Sequence, residues 1–305
     1  MSSEKARDIA ELDLSDIQGN VLRAYKLPVA KYVFLRVREA ASARTFLEEL
    51  IPDVTTAEQW DDGKKPPWTL NIAFTHAGLA ALEVAEESLA SFSKAFREGM
   101  AIRAERILGD TGSSAPEKWE SPWNTADGGV HVMLTIYATD EYELTERVNA
   151  LDESIAAADG VERVGAQDAA AIVVDGRPTP LEHFGYADGF GQPEVEGSGV
   201  APRPGRGKLT EDGRWEPLEA GEFLFGYPDE AGELPAAPKP AALAFNGTYL
   251  VYRKLHQKVA LFRRYLEHHG KEYPGGPELL AAKFVGRFRD GTPLAVSPTH
   301  MDSTI

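Results

Sequence analysis

The sequence predicts an α+β protein built on ferredoxin-like units, and two observations predict it. Short runs rich in β-branched and aromatic residues alternate with longer stretches whose apolar residues recur at helical spacing. The alternation begins and ends on strands, the order of a split β-α-β unit. The first strand is "KYVFLRV", Lys31 to Val37, and the helix "EAASARTFLEEL" follows it, closed by Pro52. A second strand fits "WTLNIAFT", Trp68 to Thr75, and helical periodicity then runs through "HAGLAALEV" and "LASFSKAFREGMAIRAERIL". Turn formers in "GDTGSSAPEKWESPWN" break it. A strand in "HVMLTIYAT", a long helix in "DEYELTERVNALDESIAAA" and a strand in "VERVGAQDAAAIVV" complete the set.

An echo of the first unit appears later. "KYVFLRVREAASARTFLEEL" and "TYLVYRKLHQKVALFRRYLE" share an aromatic residue, three apolar residues and an arginine before an amphipathic helix. The expected organisation is therefore an N-terminal ferredoxin-like unit over 1–175, a segment over 176–244, and the start of a second unit over 245–305 that lacks the strands to close its own sheet. The middle segment is dense in glycine and proline, which predicts a long docking or functional loop.

Composition excludes several function classes. Against 32 Lys+Arg stand 48 Asp+Glu, a net charge of -16, so the surface repels phosphate backbones and nucleic acid is not an expected partner. "GRGKL" is no phosphate loop, because Leu209 follows Lys208 where Ser or Thr would hold a metal ion. No cysteine exists, which removes disulfides, thiolate clusters and thiolate nucleophiles. No run of about 18 apolar residues predicts a membrane span. The polar, acidic N-terminus lacks the pattern of a signal peptide, and a cytoplasmic location is expected.

The densest chemical signal is "EHFGYADGFGQP", Glu182 to Pro193. Asp-Gly dipeptides favour turns, and a turn is one reading. The other is that Gly185, Gly189 and Gly191 let backbone approach a flat ligand closely with one acid, Asp188, aimed at it.

Seven segments carry a resemblance: "DIQGNVLRAY", "LNIAFTHAGLAAL", "ILGDTGSSAPEKW", "FGYADGFGQP", "GEFLFGYPDE", "NGTYLVYRKL" and "KFVGRFRDGTPL". In this order, from Asp16 to Leu294, they resemble the dye-decolorizing peroxidase family. The resemblance implies paired ferredoxin-like units of the dimeric α+β barrel type enclosing haem b. "GYADG" is similar to that family's distal Gly-x-x-Asp-Gly motif, so Asp188 corresponds to the distal acid-base residue, with Gly185, Gly189, Phe190, Gly191 and Gln192 as its cofactor-binding neighbours. Gly191 stands where relatives usually have serine. The expected partners are hydrogen peroxide, an organic dye-like or phenolic reductant, and further copies in an oligomer.

The resemblance assigns the iron ligand to no residue. Relatives place the proximal histidine and a distal arginine downstream of the "GRFRDGTPL"-like segment, and the sequence to Ile305 carries no such motif. His76, His131, His183, His256, His268, His269 and His300 lack its flanking pattern, although His300 is nearest to the expected region. The expectation is therefore either a partner polypeptide that supplies the proximal histidine or an unusual iron ligand. Two alternatives stand beside a peroxidase: a haem-binding protein without turnover, and a noncatalytic subunit of a split peroxidase. The tryptophans and tyrosines permit transfer of oxidising equivalents to a surface substrate, or simple packing.

Overall fold

The computed structural model describes residues 12–60, 64–124, 129–187, 192–201 and 203–302. Two compact units divide the chain: Met1–Ala169 with Pro193–Leu250, and Ala170–Gln192 with Val251–Ile305.

The first unit holds a four-stranded sheet of β1 (Val29–Val37), β2 (Trp68–Phe74), β3 (Val132–Ala138) and β4 (Val161–Ala170). Their spatial order is β2-β3-β1-β4, and β3 runs antiparallel to both β1 and β2. Helices Ala40–Leu50 and Glu141–Ala157 follow β1 and β3, which is the β-α-β-β-α-β order the sequence predicts. The register sets Val33 opposite Leu134, and Leu134 opposite Ile72. With a period of two along each strand, Val33, Leu35 and Val37 share a face with Val132, Leu134 and Ile136. On that core pack Ala43, Phe46 and Leu50 from one helix and Leu144, Val148, Leu151 and Ile155 from the other. The last four recur every three or four residues, the apolar stripe of an amphipathic helix. Caps start these helices: the Glu39 carboxylate accepts from the amides of Ala41 and Ser42, and Asp140 accepts from that of Glu143 at 2.9 Å.

Buried Asn71 on β2 is paired with groups outside the sheet. The Tyr25 hydroxyl donates to Asn71 Oδ1 at 2.7 Å, and Asn71 Nδ2 donates to Gln18 Oε1 and the Thr55 carbonyl. Burial pushes the Tyr25 phenol up to about 12, outweighing the Asn71 bond and the Arg23 charge, which act the other way. Because the folded value lies above the ordinary 10.0, this stability is fully present below pH 10.0 and is lost as pH rises toward 12. Urea unfolding across that window should therefore show a steeper alkaline loss in the wild type than in Tyr25→Phe, which has no phenol to ionise.

One sequence expectation changes in this unit. The single helical stretch read through "LASFSKAFREGMAIRAERIL" is broken into the helix Glu86–Ser91, the helix Lys94–Arg103 and a wider turn over Ala104–Leu108. Ser93 caps the second piece by accepting from the Phe96 amide, and Gly99 inside it has φ 68° and ψ -177°. Apolar spacing cannot register such a glycine kink. The long glycine- and proline-rich loop, by contrast, docks as the sequence allows: Val195, Ala220, Leu224 and Tyr227 form a second core with Leu12, Ile17, Leu22 and Ala57.

In the second unit a short hairpin pairs β5 (Val173–Val174) with β6 (Arg177–Pro178), and two helices follow, Val259–His269 and Gly276–Val285. The echo of the first unit survives in its helix only: residues 251–257 of the second unit form no strand. Among the described residues, no helix is long and apolar enough to cross a membrane.

Candidate functional site

The turn that leads into Asp188 lies in the second unit. Leu181 and Ala187 form an isolated antiparallel bridge, and the Glu182 amide donates to the Tyr186 carbonyl at 2.9 Å. Between them the chain reverses tightly. The Gly185 amide donates to the Glu182 carbonyl at 2.8 Å, and Gly185 adopts φ 95°.

Glu182 closes the turn with its side chain. Its Oε2 accepts from the Phe184 amide and its Oε1 from the Tyr186 amide, each at 2.8 Å, while Gln257 Nε2 donates to Oε2 at 2.7 Å. Burial raises the Glu182 pKa, but these donors together with Gly185 outweigh it and hold the carboxyl below its ordinary value. The sign follows: this stability is present above the ordinary value and is lost as pH falls through the lower folded one.

Arg289 secures the other side. Its Nη1 donates to the Phe184 carbonyl and its Nε to Glu278 Oε2, both at 2.8 Å. Its carbonyl accepts from the Ala187 amide at 3.0 Å, and its guanidinium carbon lies 5.0 Å from the centre of the Tyr186 ring. A side chain at position 185 would collide here, because a Cβ would stand 2.7 Å from Arg289 Nη1. Gly185 thus suits the turn by its left-handed backbone, and it leaves clear the seat that the Arg289 guanidinium takes. Gly185→Ala should cost about 1–3 kcal/mol in the second unit, read by urea unfolding; a loss within experimental error would show that the turn relaxes freely.

Tyr186 is 3% exposed and packs among Leu266, Ala281, Phe184, Phe262 and Leu280. Its hydroxyl is buried and finds no hydrogen-bond partner among the described residues, and burial raises its pKa against the pull of Arg289.

Of the residues singled out in the sequence, Gly185 and Gln192 are described, and Gln192 is half-buried beyond the turn. Asp188, Gly189, Phe190 and Gly191 lie outside the described residues. The histidines are dispersed. His131 Nδ1 accepts from the Val37 amide at 3.1 Å, His76 Nε2 lies 3.3 Å from the Leu89 carbonyl, and His183, His256, His268, His269 and His300 are exposed. Sequence reasoning missed Glu182, Gln257 and Arg289 as a set. Glu182 stands two residues before one matched segment and Arg289 inside another, but nothing in their spacing says that they share one turn.

Comparison with known proteins gives this geometry its family. Residues 16–170 match the family model described as the DyP dimeric alpha+beta barrel domain. The chain belongs to the dye-decolorizing peroxidase family. It is 32% identical over 306 residues to the dye-decolorizing peroxidase of Mycena epipterygia, covering 96% of this chain and 52% of that one. The multifunctional dye peroxidase DyP2 of Amycolatopsis sp. is 30% identical, with 96% of this chain and 61% of that relative covered. Among solved structures, an ancestral D-type dye decolorizing peroxidase superposes with a TM-score of 0.80 at 28% identity, over 97% of this chain and 62% of that one. A dye-decolorizing peroxidase in complex with 2,6-dimethoxyphenol gives 0.79 at 25% identity, over 96% and 63%. The chain spans about half the length of the curated relatives it matches first.

Proposed function

We infer that the chain forms the distal half of a haem b peroxidase that uses hydrogen peroxide to oxidise dye-like or phenolic compounds. The observation that carries this is the doubly pinned turn, held by Glu182 and Arg289, directly before Asp188 in a chain of this family. Haem b, when bound, supplies the redox chemistry that draws on peroxide and passes oxidation to the organic reductant. Asp188 takes the proton from one peroxide oxygen and returns it to the other, so that the second oxygen leaves as water. Gly189 and Gly191 would allow the close approach that a flat macrocycle needs, and Phe190 and Gln192 complete the proposed cofactor-binding set.

A further polypeptide brings the iron ligand in this proposal. Supporting it, Val251 is 74%, Leu255 68%, Phe284 60% and Leu261 54% exposed in the second unit, side chains that ordinarily seek cover. The relatives' greater length supplies the kind of segment that would cover them. The working protein is an oligomer in this proposal, following its exposed apolar side chains. Peroxide-dependent oxidation of 2,6-dimethoxyphenol by haem-supplemented protein, alone and with the polypeptide equivalent to the unmatched part of a relative, tests the reading. Turnover in either mixture supports it; haem uptake without turnover in both replaces it with a haem-binding role.

A further inference from the structure

We propose that Arg289 is a positioning residue for the peroxide step, its guanidinium fork fixing the backbone that delivers Asp188. The proposal rests on the reading of Asp188 as the distal acid-base group. Three contacts converge on one side chain: Nη1 on the Phe184 carbonyl, Nε on Glu278, and the cation over the Tyr186 ring. A fourth comes from its own backbone, whose carbonyl takes the amide of Ala187, the residue before Asp188. Arg289 is only partly exposed, at 32% of its side-chain surface, so these bonds are formed against limited competition from water.

The fork matters more than the charge. Two N–H groups fixed in one plane, Nε and Nη1, reach two separate acceptors at once while the guanidinium carbon stays 5.0 Å from the Tyr186 ring centre; an ammonium is a point donor without that fixed fork. Gly185 supports this by leaving open the space that Nη1 occupies. Glu182 acts on the opposite side of the same turn, taking the Phe184 and Tyr186 amides. Phe184 is therefore gripped at both ends, its amide by Glu182 and its carbonyl by Arg289. The two grips leave the peptide planes of residues 184–187, the described residues directly before Asp188, little freedom.

Two readouts separate this proposal from the haem reading beneath it. In haem-free protein, Arg289→Ala should speed amide exchange at Gly185, Tyr186 and Ala187 roughly tenfold or more, as expected when charge-assisted bonds are lost. Dilute guanidinium should restore the protection and methylammonium should not, while Arg289→Lys recovers only part of it. In haem-loaded protein, Arg289→Ala should lower kcat/KM for peroxide about 10- to 100-fold through misplacement of the acid, with the KM for the phenolic reductant unchanged. Lys283→Ala, which removes one exposed positive charge from the helix Gly276–Val285, should leave both readouts at the wild-type level. Full rescue by lysine or methylammonium would overturn the proposal in favour of charge alone. Unchanged exchange, or loosened exchange with an unchanged peroxide rate, would overturn positioning while leaving the role of Asp188 intact. Failure of the protein to take up haem would defeat the haem reading and leave the exchange and rescue results to decide whether Arg289 holds the turn.

Discussion

Asp188→Asn should lower peroxide turnover of the haem-loaded protein by about 10²–10⁴-fold, the usual contribution of a placed general acid-base group, while haem uptake stays at the wild-type level. The substitution keeps shape and removes the ability to hold and release a proton. A carboxylic acid has an ordinary pKa of about 4, so at neutral pH the free group is already a base ready to accept the peroxide proton. An amide accepts no proton at any working pH. Asp188→Glu keeps the chemistry but moves it by one methylene, and should recover part of the lost rate. Steady-state rates at several peroxide concentrations check both variants, together with the visible absorbance of bound haem. Equal rates in the wild type and the asparagine variant would remove Asp188 from the reaction.

Phe46→Ala should destabilise the first unit by about 3–5 kcal/mol, the cost of deleting a large ring from a packed core. Phe46 is 2% exposed and joins the helix Ala40–Leu50 to the sheet at the centre of the cluster that holds Val33, Leu35 and Leu134. Little can collapse into the space, because its neighbours come from a helix and a four-stranded sheet already fixed by register. Ile51, one residue past the same helix, is 66% exposed, and Ile51→Ala should change stability by no more than about 0.5 kcal/mol. Urea unfolding of the two variants beside the wild type makes the comparison. A small loss for Phe46→Ala would mean that the helix does not pack on the sheet as described.

The sheet of the first unit was legible because each of its elements carries its own period. Val33, Leu35 and Val37 alternate, whereas Leu144, Val148, Leu151 and Ile155 recur at helical spacing, and the two patterns cannot be exchanged. Where one pattern has to be interrupted, legibility ends: Gly99 breaks a helix through its backbone alone, and the apolar spacing runs on through it. The echo "TYLVYRKL" illustrates a different limit. Its residues favour strand, but a strand needs a neighbour to take its backbone hydrogen bonds, and composition says nothing of neighbours. Val251 and Leu255 stay exposed and the second-unit part of the segment stays irregular.

The candidate site divides in the same way. The pattern around Asp188 stands out in the sequence because glycines and a single acid lie together, and residues 188–191 lie outside the described ones. Arg289 and Glu182 do not stand out, because their partnership exists only once the turn and the segment after the helix Gly276–Val285 are brought together. Glutamate, arginine and glutamine are common surface residues, and nothing local marks three of them as the braces of one turn. Gly185 lies between the two cases. Its motif position pointed to a close approach, and among the described residues the group that approaches is the Arg289 guanidinium.

The visible absorption spectrum of protein prepared with added haem, recorded before and after hydrogen peroxide, bears most directly on whether the glycine-framed Asp188 turn is half of a haem site. The account predicts a Soret band, from the chain alone or with the polypeptide equivalent to the unmatched part of a relative, that shifts within seconds of peroxide addition in the wild type and far more slowly in Asp188→Asn. Absence of a Soret band in both preparations, or a shift equally fast in the asparagine variant, would contradict it.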